Sequence, residues 1–423
     1  MEKNKSNLPS KTFLPRIMDE HGRAFIYTLF SALLIYLFLA FLYGYNLWEH
    51  SPYDSYTLQA LAWRSGRLSL DKNYEWLELA IYNGKYFVSF PPFPTVIMLV
   101  LSLFFGPDTP SMAVNMAFFL GSTAFAYAII RRYGRKPIET AFIALFLTAG
   151  CNLLEVSMSG GVWNIAQGAS FFFTLACVYA VETPYGECRR FHMLMGPLCI
   201  AIAVGCRPFQ AVYVPYVLFR LYHQCRHVSM SEHSPVSFAA VLRRMIPYLV
   251  APALLAAAYA VLNYARFGNV FEFGHNYLPE FSTEGGVQFS LEHWKVNLKN
   301  IFRLPYFQDN RLVFPQSYGF AFYLCNPLYL IALIETVRSL IRGRMDRQKI
   351  ILLVSIFAHF NLLLLHRTFG GVQFGTRYLI DAVPMLAVLA FSRKERLSLA
   401  DGLLMIWGIA FNFYGALIYF YVL

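Results

Sequence analysis

Charged residues are scarce in this sequence. Asp, Glu, Lys and Arg make up only 14% of its 423 residues, and 57% of the residues are hydrophobic, whereas soluble domains carry about 25% charged residues. This scarcity excludes an ordinary soluble domain and indicates an integral membrane protein. The net charge of +11 lies on no soluble basic stripe, so the sequence predicts no nucleic-acid partner. Basic loops on the cytoplasmic side of a membrane explain the charge more simply.

Several motifs are absent as well. The seven cysteines are scattered without CxxC spacing, which predicts neither a disulfide framework nor a zinc site. No P-loop, GxGxxG or GxSxG motif occurs, so nucleotide chemistry has no support. No cofactor is predicted with certainty, and the histidines lack a second ligand at the short spacing that would support a divalent metal ion. A triad assembled in space from distant residues stays open.

Long apolar runs are what the sequence does have, and a bilayer crossing needs roughly 20 such residues. The run at 91–106 is short and opens with three prolines, so we expect an interfacial or re-entrant helix there. The predicted fold class is all-α integral membrane, one polytopic domain over 1–423 with about eleven transmembrane helices, give or take two. The first extracytoplasmic loop is expected to contain amphipathic juxtamembrane helices. The predicted spans are 24–46, 111–131, 138–157, 161–182, 192–206, 208–223, 245–266, 319–341, 349–366, 376–392 and 401–422.

The distribution of basic residues predicts the orientation of these spans. With residues 1–23 as a cytoplasmic tail, 23 of the 35 lysines and arginines fall on the cytoplasmic side, as the positive-inside rule requires. The aromatic-rich loops 47–110 and 267–318, and the short loop 366–376, then lie on the extracytoplasmic face. Any chemistry is therefore expected on that face.

Asp54 and Glu155 are the candidates for catalysis. Asp54 and the nearby Glu49 stand at the membrane edge, where a carboxylate is costly unless it is solvated, paired or used. Asp54 precedes an amphipathic segment and is the first choice, although Ser51 and Asp54 also suit a helix N-cap. Glu155 is the second catalytic candidate, and its alternative is a solvated carboxylate at a helix end.

Four cations are candidates for binding a phosphate. Arg207 lies between two apolar runs, where its guanidinium can take a phosphate bidentately or simply snorkel from a helix end. Arg377 is four residues before Asp381, so the two can pair on a helix, or Arg377 can offer donors to an anion. Lys85 and Arg367 complete the set, and Lys85 also suits an exposed loop lysine.

Other polar residues stand at outer helix ends, where a lipid-facing helix would not carry them. We expect these residues to line a substrate pocket. They are Glu49, Tyr53, Asn164, Gln167, His275, Tyr277, His366 and Gln373.

The segments 66–71, 83–92, 263–269 and 370–381, together with an acid in the first outer loop, resemble the GT-C glycosyltransferases, which include protein O-mannosyltransferases and the lipid A aminoarabinose transferase. The resemblance implies a multi-pass protein of the plasma membrane (the bacterial inner membrane). It would use a polyprenyl-phosphate-linked sugar as donor among the membrane lipids, and transfer the sugar with inversion on the extracytoplasmic face. Asp54 would be the general base, and Arg207, Arg377, Lys85 and Arg367 would bind the donor phosphate.

Two departures from the family pattern leave the acceptor and any metal requirement open. Many relatives carry an Asp-Glu pair in the first loop, whereas Ser55 follows Asp54 here. Relatives with a second loop acid often have Asp, and the nearest counterpart is Glu155. A transporter or flippase of lipid-linked sugars and a non-catalytic membrane subunit remain as alternatives. A transporter would favour charges near the bilayer midplane and repeat symmetry.

Overall fold

The computed structural model describes residues 19–283, 288–392 and 397–422, and in this part of the chain the fold is almost entirely helical. The helices before the second long loop are α1 (Glu20–Leu42), α2 (Ser55–Arg64), α3 (Phe93–Phe105), α4 (Ser111–Arg132), α5 (Pro137–Ala149), α6 (Leu153–Ser157), α7 (Val162–Val181), α8 (Arg190–Val204), α9 (Val214–Ser231) and α10 (Phe238–Phe267). Those that follow are α11 (Pro279–Thr283), α12 (Leu291–Ile301), α13 (Phe322–Cys325), α14 (Leu328–Ile341), α15 (Arg347–Leu364), α16 (Val383–Phe391) and α17 (Leu399–Val422). The strands are β1 (Leu79–Tyr82), β2 (Lys85–Val88), β3 (Tyr306–Gln308) and β4 (Arg311–Val313).

Membrane-spanning length is found in six of the described helices. By length and composition α1, α4, α7, α10, α15 and α17 can each cross a bilayer. Local capping sets several of their ends. Asp346 accepts a hydrogen bond from the Lys349 amide at the start of α15, and α10 ends at Gly268, whose φ of +69° is left-handed. Such caps satisfy backbone groups that the helix itself leaves unpaired.

Each of the eleven predicted spans contains a described helix, but five of them are interrupted or shorter than a full crossing. The predicted span 138–157 is divided into α5 and α6, and 208–223 and 376–392 begin with 3₁₀ turns. The count of eleven crossings therefore stays a prediction. The predicted loop 223–244 is largely helical, because α9 continues to Ser231 and α10 begins at Phe238.

The main core lies between α1, α4, α5, α7, α8, α14, α16 and α17. Close approach of α4 and α7 depends on Gly168, because a Cβ there would lie 2.2 Å from Asn115 Oδ1. Asn115 in turn donates to the carbonyl oxygens of Val156 and Ser159 at 2.8 and 2.7 Å. The α4–α7 contact thereby fixes the turn that follows Glu155.

Two antiparallel hairpins add strands that the sequence did not predict. In the first, β1 pairs with β2 around Asn83 and Gly84, whose φ angles are +49° and +70°, as expected of a two-residue Asn-Gly turn. This hairpin packs with α2 and α3 in a second core. α3 is a 13-residue helix, which is too short for a simple crossing. In the second hairpin, β3 pairs with β4.

Candidate functional site

A cavity of about 860 Å³ opens where the predicted extracytoplasmic loops meet. Its walls come from the segment after α1, the residues that flank the first hairpin, the start of α7, the 3₁₀ turn at His275–Tyr277 and the loop before α16. Four carboxylates and one guanidinium line it: Glu49, Glu78, Glu155, Glu280 and Arg377. The cavity therefore places acids and a cation beside one another at a common set of helix ends.

Glu155 lies in the short helix α6 and is only 8% exposed. Asn152 donates to its Oε2 at 3.3 Å, and the positive charge of Arg377 acts on it. A carboxylate held this way in the lining of a cavity can accept a proton from a bound molecule.

Glu78 is a cavity acid for which the sequence gave no signal. It precedes β1, and Trp163 Nε1 donates to its Oε2 at 2.9 Å. Burial raises the pKa of Glu78, and the indole hydrogen bond opposes that rise. Glu78 lies in an irregular segment and Glu280 in the short helix α11. Neither has motif spacing, so only the folded chain reveals that they line the cavity with Glu155.

Arg377 is positioned by two hydrogen bonds within its own loop. Its amide donates to Gln373 Oε1 at 2.8 Å, and its Nη2 donates to the Gly370 carbonyl at 3.2 Å. Its Nε is buried without a hydrogen-bond partner in the described part of the chain. Arg377 thus keeps donor capacity for an anion in the cavity.

Of the two alternatives for Arg377, the ion pair with Asp381 is not found among the described residues. Residues Arg377–Ala382 form a 3₁₀ turn rather than an α-helix, and with 3.0 residues per turn the i and i+4 side chains point in different directions. Asp381 instead accepts from Arg207 Nε at 2.9 Å in a buried ion pair, and Gln167 Nε2 donates to its other oxygen at 3.1 Å.

Arg207 lines a second, adjacent cavity of about 240 Å³. Tyr378 borders both cavities, and its ring centroid lies 4.3 Å from the Arg207 guanidinium carbon and 5.6 Å from that of Arg377. Arg207 Nη2 is buried and has no hydrogen-bond partner among the described residues. The two arginines therefore flank a single aromatic ring, one from each cavity.

Asp54 does not line either cavity. It is the N-cap of α2, fully buried, and accepts from the Tyr56 and Thr57 amides at 3.0 and 3.2 Å and from Thr57 Oγ1 at 2.6 Å. The N-cap alternative is thus confirmed. Burial raises the pKa of Asp54, and the Thr57 hydrogen bond and the nearby His50 oppose that rise. A capping carboxylate must turn back toward its helix, which is why this one has no surface for a substrate.

Two histidines, His50 and His275, line the large cavity. His50 Nδ1 lies 3.1 Å from the Thr109 carbonyl and 3.7 Å from Asp54 Oδ2, and His275 Nδ1 lies 2.6 Å from the Ser89 carbonyl. Because a carbonyl only accepts, each Nδ1 carries a hydrogen, and a neutral His275 ring keeps Nε2 as an acceptor. Burial lowers the pKa of His275, which favours this neutral form. The sequence missed His50 as a site residue.

The remaining predicted site residues divide into two groups. Those that line one of the two cavities are Glu49, Tyr53, Asn164, His275 and His366. The others lie outside the lining of both cavities. Lys85 is exposed at the start of β2, and the Arg367 guanidinium stacks on the ring of Phe281. Gln167 and Gln373 are buried and hydrogen-bonded, and Tyr277 packs on Tyr82 and Phe267.

Metal-binding geometry is not found in the described part of the chain, where no three His, Cys, Asp or Glu side chains group together closely enough to hold an ion. What the arrangement offers instead is proton transfer by a carboxylate and stabilisation of an anion by arginine.

Comparisons with solved structures identify the fold. The chain is similar to ArnT from Cupriavidus metallidurans bound to undecaprenyl phosphate, with a TM-score of 0.51 and 14% identity over 91% of this chain and 62% of that one. The archaeal oligosaccharyltransferase AglB from Archaeoglobus fulgidus, in complex with an inhibitory peptide and a dolichol-phosphate, gives a TM-score of 0.49 and 12% identity over 96% of this chain and 56% of that one.

At 14% identity the likeness to ArnT shows the fold alone, and this fold agrees with the multi-pass helical fold expected from the sequence. The chain spans 62% of the length of the ArnT structure. No family model matches the sequence, and neither does any curated protein.

Proposed function

We propose that this chain is a glycosyltransferase that moves a sugar from a polyprenyl-phosphate donor to an acceptor in the large cavity. The observation that carries the proposal is the position of Glu155 and Arg377 on one cavity wall, with Arg207 next to them behind Tyr378. The ArnT structure that shares this fold is bound to undecaprenyl phosphate, and a donor of that chemical class suits the arginines here.

The proposed reaction is a single displacement that inverts the anomeric carbon. Glu155 takes the proton of the acceptor hydroxyl or amine as that atom forms its bond to the sugar. The bond between the anomeric carbon and the phosphate oxygen breaks, and its electron pair leaves with the polyprenyl phosphate. No nucleotide takes part, because the lipid carries the sugar to the site.

The arginines supply the electrostatic part of the mechanism. Arg377 has a buried Nε without a partner in the described residues, so it can strengthen its contact as negative charge develops on the departing phosphate. Asp381 partly neutralises the charge of Arg207. The role of Arg207 is therefore to bind the donor rather than to stabilise the negative charge that develops on the departing phosphate. Lys85 and Arg367 stand away from the cavity lining and take no part in this proposal.

Asp54, the first choice from the sequence, receives a different role. To act as the base, its carboxylate would have to leave the α2 cap and give up three hydrogen bonds. We assign it instead to fixing the start of α2 and the ring of His50, 3.7 Å away. The orientation we propose keeps the cavity on the extracytoplasmic face of a plasma membrane, with about eleven crossings and a cytoplasmic amino terminus.

The test is release of free polyprenyl phosphate by the purified, membrane-reconstituted protein. Lipid-linked sugars with a panel of acceptor sugars, lipids and peptides are compared with nucleotide sugars as donors. We expect release from a lipid-linked donor only. Consumption of a nucleotide sugar, or movement of the intact lipid-linked sugar across the bilayer without release, would overturn the proposal, and the second outcome would establish the flippase alternative.

A further inference from the structure

Two buried asparagines behind the cavity wall are not explained by the reaction itself. Asn152 precedes α6 and Asn326 lies between α13 and α14, and both are completely buried. Neither is in the lining of the large cavity or of the second cavity. They stand 174 residues apart in the chain, and Asn326 Nδ2 donates to Asn152 Oδ1 at 3.0 Å.

The hydrogen bonds of Asn152 determine how its amide is oriented. Its Nδ2 donates to Glu155 Oε2 at 3.3 Å and to the Phe374 carbonyl at 2.7 Å. Both of these partners are acceptors, so the nitrogen must face them and the oxygen must face Asn326. The donor from Asn326 satisfies that oxygen, and it opposes a flip of the amide that would set Asn152 Oδ1 against the Glu155 carboxylate.

The same amide also contacts the loop that carries Arg377. Phe374 is three residues before Arg377, and the next residue, Gly375, lies so close to Cys325 that a Cβ would stand 2.2 Å from the thiol sulfur. The neighbour of Asn326 thus packs directly on this loop. One side chain, Asn152, therefore contacts both the proposed base and the backbone of the segment that bears the proposed cation.

We infer that Asn152 and Asn326 are positioning residues that set the distance and orientation of Glu155 relative to Arg377. The inference rests on the proposed function, because it assigns these residues to the base and cation of that reaction. Asn152 acts directly on both groups, and Asn326 acts through Asn152. A misplacement of about 1 Å in such a pair is enough to cost on the order of a hundredfold in rate.

The test compares Asn326→Ala with Asn412→Ala. Asn412 is a matched control, because its buried amide donates to the carbonyls of Cys325 and Gly408 at 2.7 and 2.8 Å and makes no hydrogen bond to Asn152 or Glu155. The measurements are kcat, KM for the lipid-linked donor, the pH–rate profile and the midpoint of thermal unfolding. If Asn326→Ala does not fold, Asn326→Ser is compared with Asn412→Ala in its place, because the shorter serine side chain still carries a hydroxyl donor.

We expect similar losses of thermal stability in the two alanine variants but a tenfold to hundredfold loss of kcat in Asn326→Ala alone, with KM changed less than threefold. The acidic limb of its pH–rate profile should move to higher pH, since a carboxylate with a weaker donor is harder to ionise. The serine variant should show a smaller shift of the same sign.

Matching kcat and matching pH profiles in Asn326→Ala and Asn412→Ala would overturn the inference and leave the proposed function intact. A wild-type protein that releases no polyprenyl phosphate from any lipid-linked donor would overturn both.

Discussion

Asp381 is the buried acid whose loss should cost the fold most. Its carboxylate is wholly buried, and its oxygens accept from Arg207 at 2.9 Å and from Gln167 at 3.1 Å. Removing an ion pair from water is expensive, and the pair is tolerated only when its hydrogen bonds are nearly complete. Arg207 therefore depends on Asp381 for its place in the second cavity.

Replacing Asp381 with Asn should lower the free energy of unfolding by about 3–5 kcal/mol, because Arg207 would remain as a buried charge without its counter-ion. Denaturant unfolding of the purified protein measures this loss. Arg131→Gln is the control, since the exposed Arg131–Asp19 pair should contribute about 0–1 kcal/mol. Equal losses in the two variants would contradict the role given to Asp381.

A candidate site residue can be found from the sequence when the residues next to it in the chain already mark it as unusual. Glu155, Arg207 and Arg377 could be recognised because a charged residue at an apolar helix end needs a reason to be there. Glu78 and His50 could not be recognised, because what brings them to the cavity is tertiary packing of loops. Asp54 was recognised as an important acid, but the choice between cap and base needed the direction of its side chain.

At the scale of elements, two 3₁₀ turns shape the site. Pro208–Tyr213 precedes α9 and Arg377–Ala382 precedes α16, with Arg207 and Arg377 at their starts. Apolar periodicity does not distinguish such a turn from the first turn of an α-helix, which is why the sequence left an Arg377–Asp381 pair open as one alternative. The first hairpin was missed for a related reason: its strands have only four residues each, although Asn83 and Gly84 carried the turn signal.

The loop before α16 offers a matched pair of glycines. Gly375 and Gly371 have φ angles of +67° and +62°, but only Gly375 is crowded, since nothing lies within 4 Å of a Cβ at Gly371. Alanine should cost about 1–2 kcal/mol at either position through backbone conformation, and about 1–3 kcal/mol more at Gly375 through overpacking against Cys325. Thermal unfolding tests this difference, and equal destabilisation would contradict the close packing of this loop.

At the scale of the whole molecule, opposite helix ends carry different chemistry. The ends that surround the two cavities bring acids, aromatics and two arginines together. Arg220 in α9, Glu182 after α7 and Gln348 at the start of α15 form a separate hydrogen-bonded network. Hydropathy and charge predict two membrane faces that differ in their basic residues, and which helix ends lie on which face stays a prediction. They could not predict which helices are cut short.

Cysteine labelling tests the proposed orientation. Lys85 and Lys136 are both exposed side chains, and the orientation puts Lys85 outside and Lys136 inside. In intact cells a membrane-impermeant thiol reagent should label Lys85→Cys and leave Lys136→Cys unlabelled until the membrane is opened. The wild type, whose cysteines are mostly buried, gives the background. Labelling of Lys136→Cys in intact cells would contradict the orientation.

The most direct test of the central claim, that Glu155 is the base in a sugar-transfer cavity, is the turnover of Glu155→Gln beside Asp54→Asn with a lipid-linked sugar donor. Removal of a general base typically costs about 10²–10⁴ in rate, and we expect that loss for Glu155→Gln with the fold retained. Asp54→Asn should keep most of its activity, since Asn is as good an N-cap as Asp. A folded Glu155→Gln protein with undiminished turnover, beside an inactive Asp54→Asn protein, would contradict the account and return the base to Asp54.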